Sequence, residues 1–344
     1  MTQLSESPMP RDARAELLRL INGFQASQAI HVAATLAIAD LLRSGPRTSV
    51  DLAAETKTHP DALFRLMRTL AAIGVFREDG DRFALTPLGE FLRSDVAGTH
   101  APMAAFIGRS NYWQAWGDLL HAVRTGGTAF DHVHGKTVWQ YRAEHPEEAQ
   151  IFDRAMGAGT ERYADAVLDV FDFSRFDTVV DIGGGDGSFL AKILRGHPSV
   201  CGILFDQPHI VARPAASIEG LAGRCEAIGG DFFAGVPQGC DAYLLKWILH
   251  NWDDQASIDI LRACGKAMNP SGRVLVVEHV VGPPNTGSEG KFMDLTMMVG
   301  PGGRERTHEE FADLFSRSGF ELTTVIPTAT PLYLIEGVLH PGAG

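Results

Sequence analysis

Along the first hundred residues apolar side chains recur every three to four positions, the stripe of an amphipathic helix. Leu17, Leu20, Ile21 and Phe24 lead into Ile30, Ala34, Ile38, Leu41 and Leu42, and Gly45-Pro46 closes the run. A short helix is predicted next, with Ser49 placed to cap it and Leu52 and Ala53 facing inward. A second begins after Pro60, with Asp61 in its first turn and Leu63, Leu66, Met67, Leu70 and Ile73 as its core stripe. Val75-Phe76 and Phe83-Ala84-Leu85 then flank Glu78-Asp79-Gly80-Asp81, the pattern of a β-hairpin. Helix, turn, helix and wing predict a mostly α, winged-helix-like domain over 1–100, leaving 101–344 for the rest.

Between 100 and 170 the period stays helical and aromatic residues gather: Phe106, Tyr112, Trp113, Trp116, Phe130, Trp139, Tyr141, Phe152 and Tyr163. The group is suited to roof a pocket for a flat apolar ligand. After 175 the pattern changes to short apolar runs at 178–182, 202–205, 226–228, 242–245 and 274–277, separated by helical stretches at 188–195, 209–221, 255–267 and 307–318. Alternation of this kind predicts an α/β domain with a Rossmann-like, doubly wound, mostly parallel sheet. The runs at 321–326 and 332–338, set apart by Pro327 and Pro331, predict a closing hairpin.

Charge narrows the partners. The 344 residues carry 30 basic and 42 acidic side chains, a net charge of −12, and the helix before the wing offers mainly Arg65 and Arg68. An acidic chain repels phosphate backbones, so no nucleic-acid partner is expected and the winged-helix-like unit is read as a protein–protein module. The four cysteines form no C-x-x-C pair, the first fourteen residues hold no apolar signal segment, and no apolar run reaches the ~18 residues of a membrane helix. The expectation is a cytoplasmic enzyme with no metal site and no membrane contact.

The chemistry gathers at strand ends. Val179-Val180-Asp181-Ile182-Gly183-Gly184-Gly185-Asp186-Gly187-Ser188 is a strand, a glycine turn and a helix start, which lets backbone approach a ligand closely. A dinucleotide fingerprint would carry glycine where Ser188 stands, and Asp181 would repel a pyrophosphate. The carboxylate suits a ligand with an ammonium group, as in S-adenosylmethionine. Asp206 ends the next strand, 25 residues on, where a ribose diol is gripped in such folds; Asp231 and Phe232 follow the third, suited to an adenine amino group and ring.

At this point the chain resembles the small-molecule O-methyltransferases of the plant caffeate type and their bacterial relatives acting on antibiotics and polyketides. The resemblance rests on Asp181–Gly187, on Lys246-Trp247-Ile248-Leu249-His250-Asn251-Trp252 and on Pro301-Gly302-Gly303-Arg304-Glu305-Arg306-Thr307. It implies S-adenosylmethionine contacts at Gly183, Gly184, Gly185, Asp206, Asp231, Phe232 and Lys246. It implies His250 as general base, Glu278 and Glu305 as its flanking acids, and a homodimer joined through the N-terminal domain. Trp113, Met156, Asn251, Met297 and Met298 are the expected lining for an aromatic acceptor.

A phenol with a pKa near 10 is mostly un-ionised at neutral pH, and an imidazole near 6.5 is a fitting base for it. Either Glu278 or Glu305 would fix the tautomer of His250. His279 is expected on the opposite face, because side chains alternate along a strand. The leading expectation is methyl transfer to a phenolic or enolic hydroxyl. N-methylation, or a relative that binds the same cofactor for another reaction, is the alternative.

Overall fold

The protein is described by a computed structural model covering residues 12–340, apart from 213–217, 219 and 222. The polar 1–14 segment and the helix expected over 209–221 therefore fall partly outside it; Pro208–Val211 is a helical turn. Two compact units divide after Ser110.

In the first unit, helices Ala13–Ile21, Gly23–Thr35, Ile38–Leu41, Ser49–Thr56 and Pro60–Ala72 precede the wing. Its strands Arg47–Thr48 (β1), Phe76–Asp79 (β2) and Arg82–Leu85 (β3) form an antiparallel sheet in the order β1-β3-β2. The cap of the fourth helix is Thr48, not Ser49: the Thr48 hydroxyl accepts from the Asp51 N–H at 3.1 Å, while Ser49 opens the helix itself and is buried. Ile38, Leu42, Leu52, Leu63, Met67, Leu70, Phe76 and Phe83 make the core. Part of the predicted stripe lies outside it. Leu17, Leu20, Ile21 and Phe24 are each more than half exposed, and Ile73 is also exposed. Periodicity finds an apolar face but does not say what it packs against.

The second unit begins with a helical series that ends at Thr160–Leu168. Five parallel strands follow: Thr178–Ile182 (β4), Cys201–Asp206 (β5), Cys225–Gly229 (β6), Ala242–Lys246 (β7) and Arg273–His279 (β8). The expected hairpin, Phe320–Pro327 (β9) and Leu332–Leu339 (β10), inserts β10 antiparallel beside β8. The order is β6-β5-β4-β7-β8-β10-β9. Within β4, Val179 joins one apolar cluster while Val180 and Ile182 join another, so helices cover both faces and the strand reads as a continuous apolar run. The strand order reverses between β4 and β7, which places the loops after those two strands on either side of the switch point where doubly wound sheets bind ligands. Among the described residues, no helix is long and apolar enough to cross a membrane.

Candidate active site

The β4 loop turns on residues that only glycine accommodates. Gly183 and Gly185 have φ of +68° and +60°. Gly184 is not left-handed, but a Cβ there would meet Leu204 at 2.6 Å and the Asp181 carboxylate at 2.7 Å. Asp206 lies against this loop, its Oδ2 accepting from the Gly185 N–H at 2.8 Å, and burial raises its pKa. Asp181 is buried with neither carboxylate oxygen hydrogen-bonded. Burial pushes its pKa up to about 7, against the pull of Lys246, whose own pKa burial lowers. A desolvated carboxylate without a donor is a costly feature. It fits a cationic, donor-bearing ligand group in the glycine cradle.

The other side of the site follows β7. Trp247 takes a left-handed φ of 57°, which ends the strand sharply and starts the short turn that carries His250. His250 is buried, and its Nδ1 lies 2.7 Å from Glu305 Oε1. Glu278, from the buried end of β8, accepts the His250 backbone N–H at 3.1 Å. The two acids thus divide the work: Glu305 holds the ring and Glu278 holds the backbone. Burial opposes ionisation of Glu305, but His250 and His279 overcome it and hold the pKa at about 2. Burial likewise works against charge on His250, and the Glu305 hydrogen bond and charge outweigh it, raising the imidazole pKa. An ionised Glu305 accepts only, so in the neutral imidazole Nδ1 bears the hydrogen and Nε2 keeps a free lone pair.

The remaining expected residues are spread around these two halves. Asp231 is exposed and caps its own turn by accepting the Phe233 N–H, while half-buried Phe232 packs edge-on against Trp252 at 6.0 Å. Trp113 and Met156 are half-buried. Asn251 donates its Nδ2 to the Trp247 carbonyl at 2.8 Å. Met297 is buried, and Met298 packs beside Trp116 and Trp139 against an apolar cluster that includes Phe130 and Val299.

Comparison with known proteins decides the family. Residues 116–321 match the O-methyltransferase domain and residues 18–95 the O-methyltransferase dimerisation domain. The chain belongs to the O-methyltransferase family. It is 44% identical to a phenazine O-methyltransferase of Lysobacter antibioticus, over 93% of this chain and 94% of the relative. It is 40% identical to the mitomycin biosynthesis 6-O-methyltransferase of Streptomyces lavendulae, over 92% of each. Its fold matches an O-methyltransferase of neocarzinostatin biosynthesis, solved with S-adenosylmethionine and 2-hydroxy-5-methyl naphthoic acid. That match has a TM-score of 0.80 and 31% identity, over 94% of this chain and 98% of that one.

Three features of this O-methyltransferase escape a reading of residue types. His279 does not turn away: its Nδ1 is 3.7 Å from Glu305 Oε1. It is the last residue of β8, and the 305–306 segment runs beside the departing chain through a Val280–Arg306 bridge, so Glu305 reaches both histidines. Arg306 is almost wholly buried and donates to the carbonyls of Leu249 and Trp252, to Ser257 and to Asp254. Gly303 passes so close to the His250 turn that a Cβ would strike the His250 carbonyl and the Asn251–Trp252 peptide. The only sequence signal for the last two is the Gly303-Arg304-Glu305-Arg306 run itself.

Gly303→Ala is therefore expected to cost about 2 kcal/mol or more, since overpacking against backbone cannot be relieved by a rotamer. Thermal unfolding would read that loss, and an unchanged midpoint with full activity would refute the close approach.

Proposed function

We propose that this O-methyltransferase transfers a methyl group from S-adenosylmethionine to a phenolic or enolic hydroxyl of an aromatic small molecule, an intermediate of natural-product biosynthesis. The carrying observation is the buried His250–Glu305 pair at 2.7 Å, beside a glycine loop backed by an unpartnered carboxylate. Relatives named for phenazine and mitomycin substrates support the acceptor class. The cofactor bound to the neocarzinostatin enzyme supports the donor.

Asp181 would receive the ammonium end of the cofactor, with Lys246 beside it, and Gly183, Gly184 and Gly185 would let the ligand approach the backbone. Asp206 would grip the ribose, and Asp231 and Phe232 would serve the adenine. When bound, S-adenosylmethionine supplies an electrophilic methyl group on a cationic sulfur. His250 takes the acceptor's hydroxyl proton at Nε2, and Glu305 stabilises the resulting imidazolium while keeping the ring in its tautomer. Trp113, Met156, Asn251, Met297 and Met298 would shape the acceptor side and hold a flat ring in line.

The enzyme would act as a homodimer. The match to a dimerisation domain supports this, as do the neighbouring exposed apolar side chains of Leu17, Leu18, Leu20, Ile21 and Phe24. Free cysteines throughout agree with a cytoplasmic setting.

Two measurements test the reading. His250→Ala should lower kcat by about 10²–10⁴-fold in transfer from labelled S-adenosylmethionine to a panel of phenols. Wild-type activity should rise with pH through an apparent pKa above the ordinary imidazole value, because the raised pKa leaves His250 protonated below it. Glu305→Gln removes the charge that raises it, so the acid limb should move to lower pH while kcat falls. An unmoved limb would sink the assignment of Glu305 as partner of the base. Separately, Ile21→Glu should halve the mass seen by light scattering; a dimer that survives would place the interface elsewhere.

A further inference from the structure

A guanidinium carries five N–H donors in one plane and stays charged at any working pH, so when buried it calls for acceptors at its edge. Arg142, on the helix Val138–Glu144, is crowded by protein and retains only partial exposure. Its Cζ lies over the Phe152 ring, 3.3 Å from the centroid, and 5.3 Å from the centroid of Trp139. Among the described residues it makes no ion pair and no hydrogen bond. Burial pulls its pKa down to about 9, with the charges of Asp153 and Tyr112 offsetting only part of the cost.

Aromatic faces relieve some of that cost but accept nothing from in-plane donors. Elsewhere in this unit, the buried guanidinium of Arg306 has every nitrogen satisfied. Arg142 has no protein acceptor among the described residues, and its ring neighbours lead toward residues expected in the site. On one side, Trp139 stacks on Trp252 at 6.1 Å, and Trp252 meets Phe232 and Phe233. On the other, Tyr112 meets Trp116 edge-on at 6.5 Å, and Trp116 packs with Met298 on one apolar cluster.

We propose that Arg142 is the receptor for a ligand carboxylate, which its planar fork would take in bidentate fashion at the edge left free by the two rings. Two ligands could present that group: the amino-acid end of the cofactor, or a ring carboxylate on the acceptor. The inference rests on the proposed reading of this pocket.

Isothermal titration calorimetry separates the possibilities. S-adenosylhomocysteine is compared with 5′-methylthioadenosine, which lacks the amino-acid end. Salicylate is compared with salicylamide in the presence of S-adenosylhomocysteine. In Arg142→Leu, a carboxylate probe should bind at least tenfold more weakly while its uncharged partner stays within about twofold, with Arg142→Lys between, since a lysine keeps the charge without the fork. A loss confined to S-adenosylhomocysteine assigns the cofactor carboxylate, and one confined to salicylate assigns an acidic acceptor. Unchanged binding of both carboxylates, or equal loss of charged and uncharged probes, overturns the proposal. Should Arg142→Leu fail to fold by circular dichroism, Arg142→Gln, which removes the charge and keeps a polar side chain, decides on the same criterion. Failure of the wild type to bind S-adenosylhomocysteine at all would instead overturn the cofactor reading.

Discussion

The site depends on one buried ion. Arg306 spans both sides of the base: it bonds the Leu249 carbonyl before His250, then the Trp252 carbonyl, Asp254 and Ser257 after it. Its neighbour Glu305 bonds the His250 ring, and the Arg304 N–H donates to the His250 carbonyl at 2.9 Å. Three consecutive residues thus clamp a turn that is itself strained at Trp247. A non-glycine residue in the left-handed region costs about 1–3 kcal/mol and persists only where its surroundings over-determine it. The clamp supplies that determination. Each hydrogen bond from the buried guanidinium to the Leu249 and Trp252 carbonyls contributes about 1.5–3 kcal/mol, comparable with the strain at the turn.

The same burial has opposite electrostatic results at two carboxylates. Asp181 lacks a hydrogen-bonded partner, and desolvation sends its pKa up to about 7. Glu305 is desolvated too, yet two imidazoles hold it at about 2. One acid is left wanting a cation; the other is committed to an imidazole within the protein. In the proposed reading the unmet demand at Asp181 is directed at a ligand, whereas the met demand at Glu305 orients His250 before any ligand arrives. In a low-dielectric setting both effects are larger than they would be in water.

Much of this was legible in the residues. Apolar runs and glycine turns gave the parallel strands to within a residue or two at each end, because both faces of the sheet are buried and leave an unbroken apolar signature. Strand-end placement of Asp181, Asp206 and His250 follows from the same reading. Other features depend on tertiary contacts that carry no local period. The apolar stripe from Leu17 to Phe24 reads as core and lies exposed. Thr48 takes the cap from Ser49, a choice set by where the strand pairing ends. His279 closes its strand and meets Glu305 because a segment 26 residues later in the chain lies alongside the strand end. The division of labour between Glu278 and Glu305 is likewise invisible in spacing, since it turns on which atom of His250 each one reaches.

The two halves of the site are built from separate parts of the chain. The glycine loop, Asp181 and Asp206 belong to β4, β5 and the turn between them, whereas the His250 pair is held by β7, the end of β8 and the 303–306 segment. A change in one need not disturb the other. A relative could lose the base and keep the cofactor cradle, which is how a fold of this kind can be turned to chemistry other than methylation. In this chain His250, Glu305 and the Arg306 guanidinium behind them are all in place and buried. Such a cluster is expensive to maintain, and discarding the base while keeping Glu305 would leave an unpaired buried charge. The intact pairing is therefore the physical argument for the proposed proton removal by His250.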